Sequence, residues 1–370
     1  SFICKFFFKF RCFIFNFSAE SHLNQYSFFD IGRNHQYFDD KSTEQAFLNN
    51  FYKKQLALLE FILDSSKRKD HKFSLYFSGT FLELLSSRYP DLLDKLKRLL
   101  DSDKIELLGG TYDDSVSALF SIDIFKANVD KHRKLIKSIF DYNPVNFTNS
   151  VNIYSNDLSG VIKDFKFKST IVPMIDWFLG GRSAHQAYLS SDHKLTLLLS
   201  DHKAAEYMIN SKDSASLLRD KSLSDRLVIS QVDPLKTVFK RNIITVLNSL
   251  KTRKSRFVTA NQAISDHGTK EIYHMPETVA MNTSGRDLSY FIGNPLQQEV
   301  LEKMKTIKSQ LLPKKDDQIM SDLMKLSTSD NFLMMNTSNN GGEISKPFDC
   351  YLQMMNILAD LEIRLYRYKI

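Results

Sequence analysis

Short continuous apolar runs alternate with stretches whose apolar positions recur at three and four over the first two-thirds of the chain. "FFFKF" (6–10), "KFSLYFSG" (72–79), "IELLGGTY" (105–112), "VNFTNS" (145–150) and "KSTIVP" (168–173) read as strands. Between them, 44–66, 80–103, 121–140 and 156–165 carry the helical period. "LTLLLS" (195–200), "DRLVISQV" (225–232) and "RFVTANQAI" (256–264) continue the strand series. From about residue 285 the pattern changes, and 295–312, 318–335 and 348–368 are amphipathic helices. This rhythm predicts parallel strands joined by crossover helices, an α/β barrel, followed by a C-terminal α-helical bundle. The boundary is expected near 270, giving a barrel over 1–270 and a bundle over 271–370. The Met-rich faces of the bundle helices read as core filler rather than a cofactor box.

Composition narrows this little. Of the 370 residues 42% are hydrophobic and 25% charged, with 12 glycines and 8 prolines, which suits a globular chain and excludes low-complexity classes. The net charge of +7 is spread along the chain, its densest runs (65–72 and 250–256) falling at expected helix ends. No nucleic-acid reader accompanies it, so no nucleic-acid partner is expected.

Cys4, Cys12 and Cys350 make neither a disulfide framework nor a zinc site, which favours the cytoplasm or another reducing compartment. Sequons at Asn16, Asn146, Asn282 and Asn336 matter only in a secreted protein. The apolar N-terminus is interrupted by Lys5, Lys9 and Arg11, and reads as a buried first strand about as well as a targeting segment. No stretch reaches the length of a membrane span. His35, His185, His193 and His202 lack the spacing of a metal set, so neither metal nor cofactor is expected.

In parallel barrels the loops at the carboxyl ends of the strands meet the substrate, so the residues just past each strand are the ones to examine. Several stretches there, "FFDIGRNHQYFDD" (28–40), "IELLGGTY", "FTNSVNIYSNDL" (147–158), "DWFLGGRS" (176–183) and "RDLSYFIGN" (286–294), resemble glycoside hydrolase family 57 in its α-amylase-like branch. The resemblance covers nearly the whole chain in order. It implies a distorted (β/α)7 barrel followed by a C-terminal α-helical bundle, and cleavage or transfer of α-glucan linkages with retention. Retention requires a nucleophilic carboxylate and an acid/base carboxyl about 5–5.5 Å apart.

Neither carboxyl is where the resemblance implies it. The family nucleophile, in a stretch like F-R-N-T-E-L-I-Y-S-N-D, falls on Val151, and the acid/base falls on Gln231 in "VISQVD" (228–233). A valine cannot attack an anomeric carbon, and an amide neither gives nor takes a proton near neutral pH. The departures continue, with Phe10, Arg11 and Cys12 at a His-Gln-Pro motif, Asp114 at a histidine and Gly181 at a tryptophan.

The expectation is a family 57-like chain without glycosidase activity, binding a glycan or serving a protein partner as a scaffold. The alternative is an active α-glucan hydrolase or transferase in which Asp114 and Asp233 replace the lost acids. Candidate substrate-binding residues are His35, Tyr112, Trp177 and Arg182. His35 serves either a sugar hydroxyl or loop order, and Trp177 either a sugar ring or packing. Arg286 and Asp287 are expected to anchor the bundle to the barrel.

Overall fold

The computed structural model describes residues 9–66, 71–149, 151–210, 227–236, 242–251, 255–280, 288–311, 316–336 and 345–367. Arg286, Asp287 and the first eight residues of the apolar N-terminus lie outside this set. The strands are β1 (Lys9–Phe17), β2 (Phe73–Phe77), β3 (Ile105–Leu107), β4 (Asn146–Phe147), β5 (Ser169–Pro173), β6 (Ala187–Leu189), β7 (Thr196–Ser200), β8 (Leu227–Val232), β9 (Ser255–Phe257) and β10 (Gly268–Ile272).

Parallel pairings run β1–β2–β3, then β4–β5–β7–β8, and β8 returns to β1. The seam between β3 and β4 is made by a parallel bridge from Gly109 to Phe147. Gly109 N donates to Asn146 O at 2.9 Å there, and Thr148 N to Gly109 O at 2.8 Å. Seven strands thus close a ring. β9 pairs with the start of β1, while β6 and β10 form an outer pair beside β7. This is the (β/α)7 barrel with helical C-terminal region that the sequence led us to expect.

Side chains alternate between two cores. Cys12, Ile14, Tyr76, Leu108, Ile171, Leu198 and Ile229 fill the barrel interior. Phe13, Phe15, Phe17, Leu75 and Phe77 point outward and pack beneath the flanking helices. The interior is polar at its floor, where buried Glu106 accepts from Ser74 Oγ at 3.1 Å, Asn146 Nδ2 at 2.5 Å and Asn261 N at 3.1 Å. Burial pushes its carboxyl above the ordinary range, against the pull of these donors.

The helices Pro295–Leu311, Asp317–Leu326, Ser329–Met334 and Ser345–Arg367 share one apolar core with Phe147, Val172, Leu197 and Leu199 on the flank of the barrel. Val116 N donates to Ser327 O at 2.8 Å and Ser329 N to Asp114 O at 2.5 Å, tying the loop after β3 to the bundle. Among the described residues no helix is long and apolar enough to cross a membrane.

The paired glycines of "IELLGGTY" have a steric cause. A Cβ on Gly110 would stand 2.4 Å from the Tyr76 ring and 2.7 Å from the Thr148 carbonyl oxygen, a backbone atom of the facing strand end. Gly110→Ala therefore has to spread the β3–β4 seam. It is expected to cost about 1–3 kcal/mol as an overpacked core does, read as a lowered denaturant midpoint. An unchanged midpoint would show that the seam has slack.

Candidate active site

The carboxyl ends of the ring strands gather a set of neutral polar side chains. On β8 the inward row Leu227, Ile229 continues to Gln231, and on β1 the row Cys12, Ile14 continues to Asn16. Gln231 and Asn16 are both buried. Past β4 the chain turns through Thr148 and Asn149 to Val151 and Asn152, with Asn152 N donating to Asn149 O at 2.8 Å. Asn152 holds φ at 49°, a left-handed conformation that asparagine tolerates better than most residues.

The loop after β4 and the end of β8 meet. Gln231 Nε2 donates to Thr148 Oγ1 at 3.0 Å and to Asn149 O at 3.4 Å, and Val151 N donates to Asn149 Oδ1 at 3.3 Å. Val151 and Gln231, read from the sequence as the substituted positions, thus lie on two segments joined by hydrogen bonds across the mouth. The Val151 side chain is 9% exposed and belongs to the bundle-side core.

Four amide atoms near this junction are buried and have no hydrogen-bond partner among the described residues: Asn16 Oδ1, Asn149 Nδ2, Asn152 Oδ1 and Gln231 Oε1. Leaving such an atom unmatched costs about 1–3 kcal/mol, so a cluster of them is a place where water or a hydroxylated ligand bonds. An amide supplies one donor group and one acceptor and stays neutral at any ordinary pH. These amides can hold hydroxyl groups, and none of the four side chains is an acid or a base at ordinary pH.

The other candidates are held as follows. Tyr112 is buried after β3, with the Lys131 ammonium 3.7 Å from its ring centroid, and burial raises its phenol pKa. Its neighbour Asp113 accepts from Thr80 N and Thr80 Oγ1, both at 3.1 Å, and burial lifts its carboxyl above the usual range. Asp114 is drawn to the bundle through its carbonyl, whereas Asp233 accepts from Leu235 N at 2.8 Å and shapes the turn Pro234–Lys236.

Trp177, in the short helix Asp176–Leu179 after β5, is 63% exposed with its ring edge-on to Phe178. Arg182 donates to three backbone carbonyls, Leu179 at 2.7 Å, Phe178 at 2.9 Å and Ile272 at 2.5 Å, and lies over the Tyr188 ring. His35 bonds Asp360 through Nδ1 at 2.7 Å, within the closing helix rather than at the mouth. Among the described residues no three His, Cys, Asp or Glu side chains cluster as a metal set.

One expectation is corrected by the structure. Phe10, Arg11 and Cys12 are not at the end of the first strand, because β1 continues to Phe17. They pair with Leu227, Val228 and Ile229 in its amino-terminal half, far from the mouth in register. The residues the strand delivers to the mouth are Asn16 and, just past it, Ser18, whose carbonyl accepts from Gln55 Nε2 at 3.0 Å. Gln55 closes a π-helical turn, Phe51–Gln55, of the kind that often accompanies functional sites.

Residues 17–228 match the family model for glycosyl hydrolase family 57. The chain belongs to that family. The family 57 chain is 28% identical to a Methanocaldococcus jannaschii protein provisionally named an alpha-amylase, covering 88% of this chain and 78% of that one. Its fold matches the branching enzyme of Pyrococcus horikoshii (TM-score 0.72, 11% identity), covering 98% of this chain and 91% of the other. It also matches the 4-alpha-glucanotransferase of Thermococcus litoralis (TM-score 0.71, 12% identity), covering 95% of this chain. The family 57 chain spans 59% of the length of that glucanotransferase.

Proposed function

We propose that this family 57 chain binds an α-glucan at its barrel mouth and does not cleave it. The observation that carries the reading is the chemistry at the junction of β4 and β8. The segments that would bring the two carboxyls together carry Val151 and Gln231, and the unmatched buried groups around them include four amide atoms. Retaining hydrolysis needs an attacking carboxylate and a proton shuttle, and neither side chain supplies one. Hydroxyl recognition needs donors and acceptors in a buried concave site, which the amides do supply. The names of the similar proteins, an amylase, a glucanotransferase and a branching enzyme, favour an α-glucan over other glycans. In this reading 1–270 carries the site and 271–370 supports it, with the exposed Trp177 as the aromatic surface.

The test pairs hydrolysis of a chromogenic maltooligosaccharide with calorimetric titration of unmodified maltooligosaccharides. We expect no turnover and saturable binding, weakened about five- to thirty-fold by Gln231→Ala, as loss of a ligand hydrogen bond does, and by Trp177→Ala. Turnover by the unmodified chain, abolished by Asp114→Asn or Asp233→Asn, would overturn the reading in favour of rebuilt acids. Absence of both turnover and binding would overturn it in favour of a scaffold role with a protein partner.

A further inference from the structure

The closing helix Ser345–Arg367 is apolar on two sides. Its inner face, with Cys350, Met354, Ile357, Leu358, Leu361 and Leu365, lies in the bundle core. Its outward strip should be polar, as on an ordinary surface helix. It instead carries Phe348, Leu352, Ala359, Ile363 and Tyr366, with Met355 at its edge and partly buried against the bundle core. At 3.6 residues per turn these six fall within an arc of about 80°, and no charged residue lies inside it. Phe348 and Tyr366 are 47% exposed, Leu352 41% and Ile363 37%.

The patch extends beyond the helix. The loop before the first helix leans on the flank of the strip, with Asn356 Nδ2 donating to Tyr26 O at 3.2 Å and Gly32 N to Asp360 Oδ1 at 2.6 Å. That loop presents Phe28 and Phe29 on a turn fixed by reciprocal Ser27–Asp30 capping bonds, and both rings are more than 70% exposed. A rigid turn displaying two bare phenyl rings beside an uncharged helical strip is an interaction surface.

The order of side chains identifies the occupant. About the midpoint Ile357, Phe348 and Tyr366 are equally distant, as are Met355 and Ala359, while Leu352 and Ile363 agree within one residue. The strip is therefore palindromic: aromatic, aliphatic, inner pair, aliphatic, aromatic. A two-fold axis across an antiparallel helix pair demands that pattern, because residue i meets j where j meets i. It sets Phe348 against Tyr366, Leu352 against Ile363, and the long Met355 against the small Ala359 of the other copy.

We propose that this face joins two copies of the chain in an antiparallel, two-fold symmetric dimer. The charge nearest the strip, Glu362, is satisfied internally by Lys303, so it neither repels a second copy nor selects an oppositely charged partner. From their exposed fractions, Phe28, Phe29 and the four large strip residues offer about 600 Å² per copy, or about 1,200 Å² in all, the lower edge of specific interfaces. The dimer is accordingly reversible.

The inference is independent of glycan binding, and its test is sedimentation velocity from about 1 to about 100 µM chain, where a small interface dissociates on dilution. The unmodified chain is expected to shift from monomer to dimer over this range. Leu352→Glu and Ile363→Lys, each at an exposed position, are expected to remain monomeric with unchanged thermal midpoints. The double variant Leu352→Glu with Ile363→Lys is expected to dimerise again, since the antiparallel register sets each glutamate against a lysine. A parallel pairing would oppose like charges and keep it monomeric, which would overturn the proposed geometry. An unmodified chain that stays monomeric throughout, or single variants that still dimerise, would overturn the interface.

Discussion

Replacing His132 with leucine is expected to lower stability by about 2–5 kcal/mol and to remove a large part of the acid sensitivity of the fold. His132 stands on the helix Ile122–Phe140 and is fully buried. Gly110 N donates to its Nδ1 at 3.1 Å, so Nε2 carries the proton and donates to Phe77 O at 2.8 Å. One neutral imidazole thus ties the carboxyl ends of β2 and β3 together at the rim of the barrel. Leucine leaves a buried N–H and a buried C=O without partners, each costing about 1–3 kcal/mol.

Burial also pushes the His132 pKa down from 6.5 to about 4. The unfolded chain then binds the proton first as pH falls, so the contribution is present above pH 6.5 and is lost progressively toward pH 4. Its full extent is about 3 kcal/mol by linkage. Denaturant midpoints at pH 7.5 and pH 5 should therefore separate more in the unmodified chain than in His132→Leu. Equal separation in the two would assign the acid sensitivity elsewhere. His132→Gln, which keeps a donor and an acceptor, is expected to recover part of the neutral-pH stability while lacking the titration.

The ring strands were legible because fully buried parallel strands read as short apolar runs bounded by polar ends. The same property hid where the first strand stops. In "FFFKFRCFIFNF" nearly every position is apolar or long-chained, so no alternation marks the mouth, and Asn16 was passed over for Phe10–Cys12. The outer pair β6 and β10 left no local signature, since Ala187–Leu189 is three residues long and its pairing with β10 is tertiary. Val151 and Gln231 stand out in the sequence because their types conflict with a resemblance that predicts acids. Asn149 and Asn152 lie in a stretch the sequence marks for examination, but neutral amides carry no titration signal, and only their unmatched buried atoms point to a role. Counting alternate residues onward from Cys12 and Ile14 delivers Asn16.

Asp360→Ala is the second large effect, and it tests why His35 bonds a residue 325 positions away. Asp360 is fully buried in the closing helix and accepts from Gly32 N at 2.6 Å, from His35 Nδ1 at 2.7 Å and from the Tyr37 hydroxyl. Arg364 Nη1 donates to the same hydroxyl at 3.0 Å and to Asp322 Oδ2 at 3.1 Å, extending the network to a second helix. Gly32 adopts φ of 78°, a backbone conformation glycine reaches without strain, which turns its N–H toward the carboxylate. Removing the carboxylate leaves the Tyr37 hydroxyl and the Gly32 N–H without their acceptor. The expected loss is about 3–5 kcal/mol, as for breaking a buried charged network from one side. Asp360→Asn restores volume but not the second acceptor, and should fall between. Because Tyr37 and Asp360 share one bond, Tyr37→Phe and Asp360→Ala should be non-additive in a double-mutant cycle. Amide exchange in the Asn24–Lys41 loop should accelerate in Asp360→Ala ahead of global unfolding, since the barrel strands make none of these contacts. That loop carries Phe28 and Phe29, so the same variant should also weaken self-association. Exchange confined to the closing helix, with the loop unaffected, would mean that Asp360 serves the bundle alone.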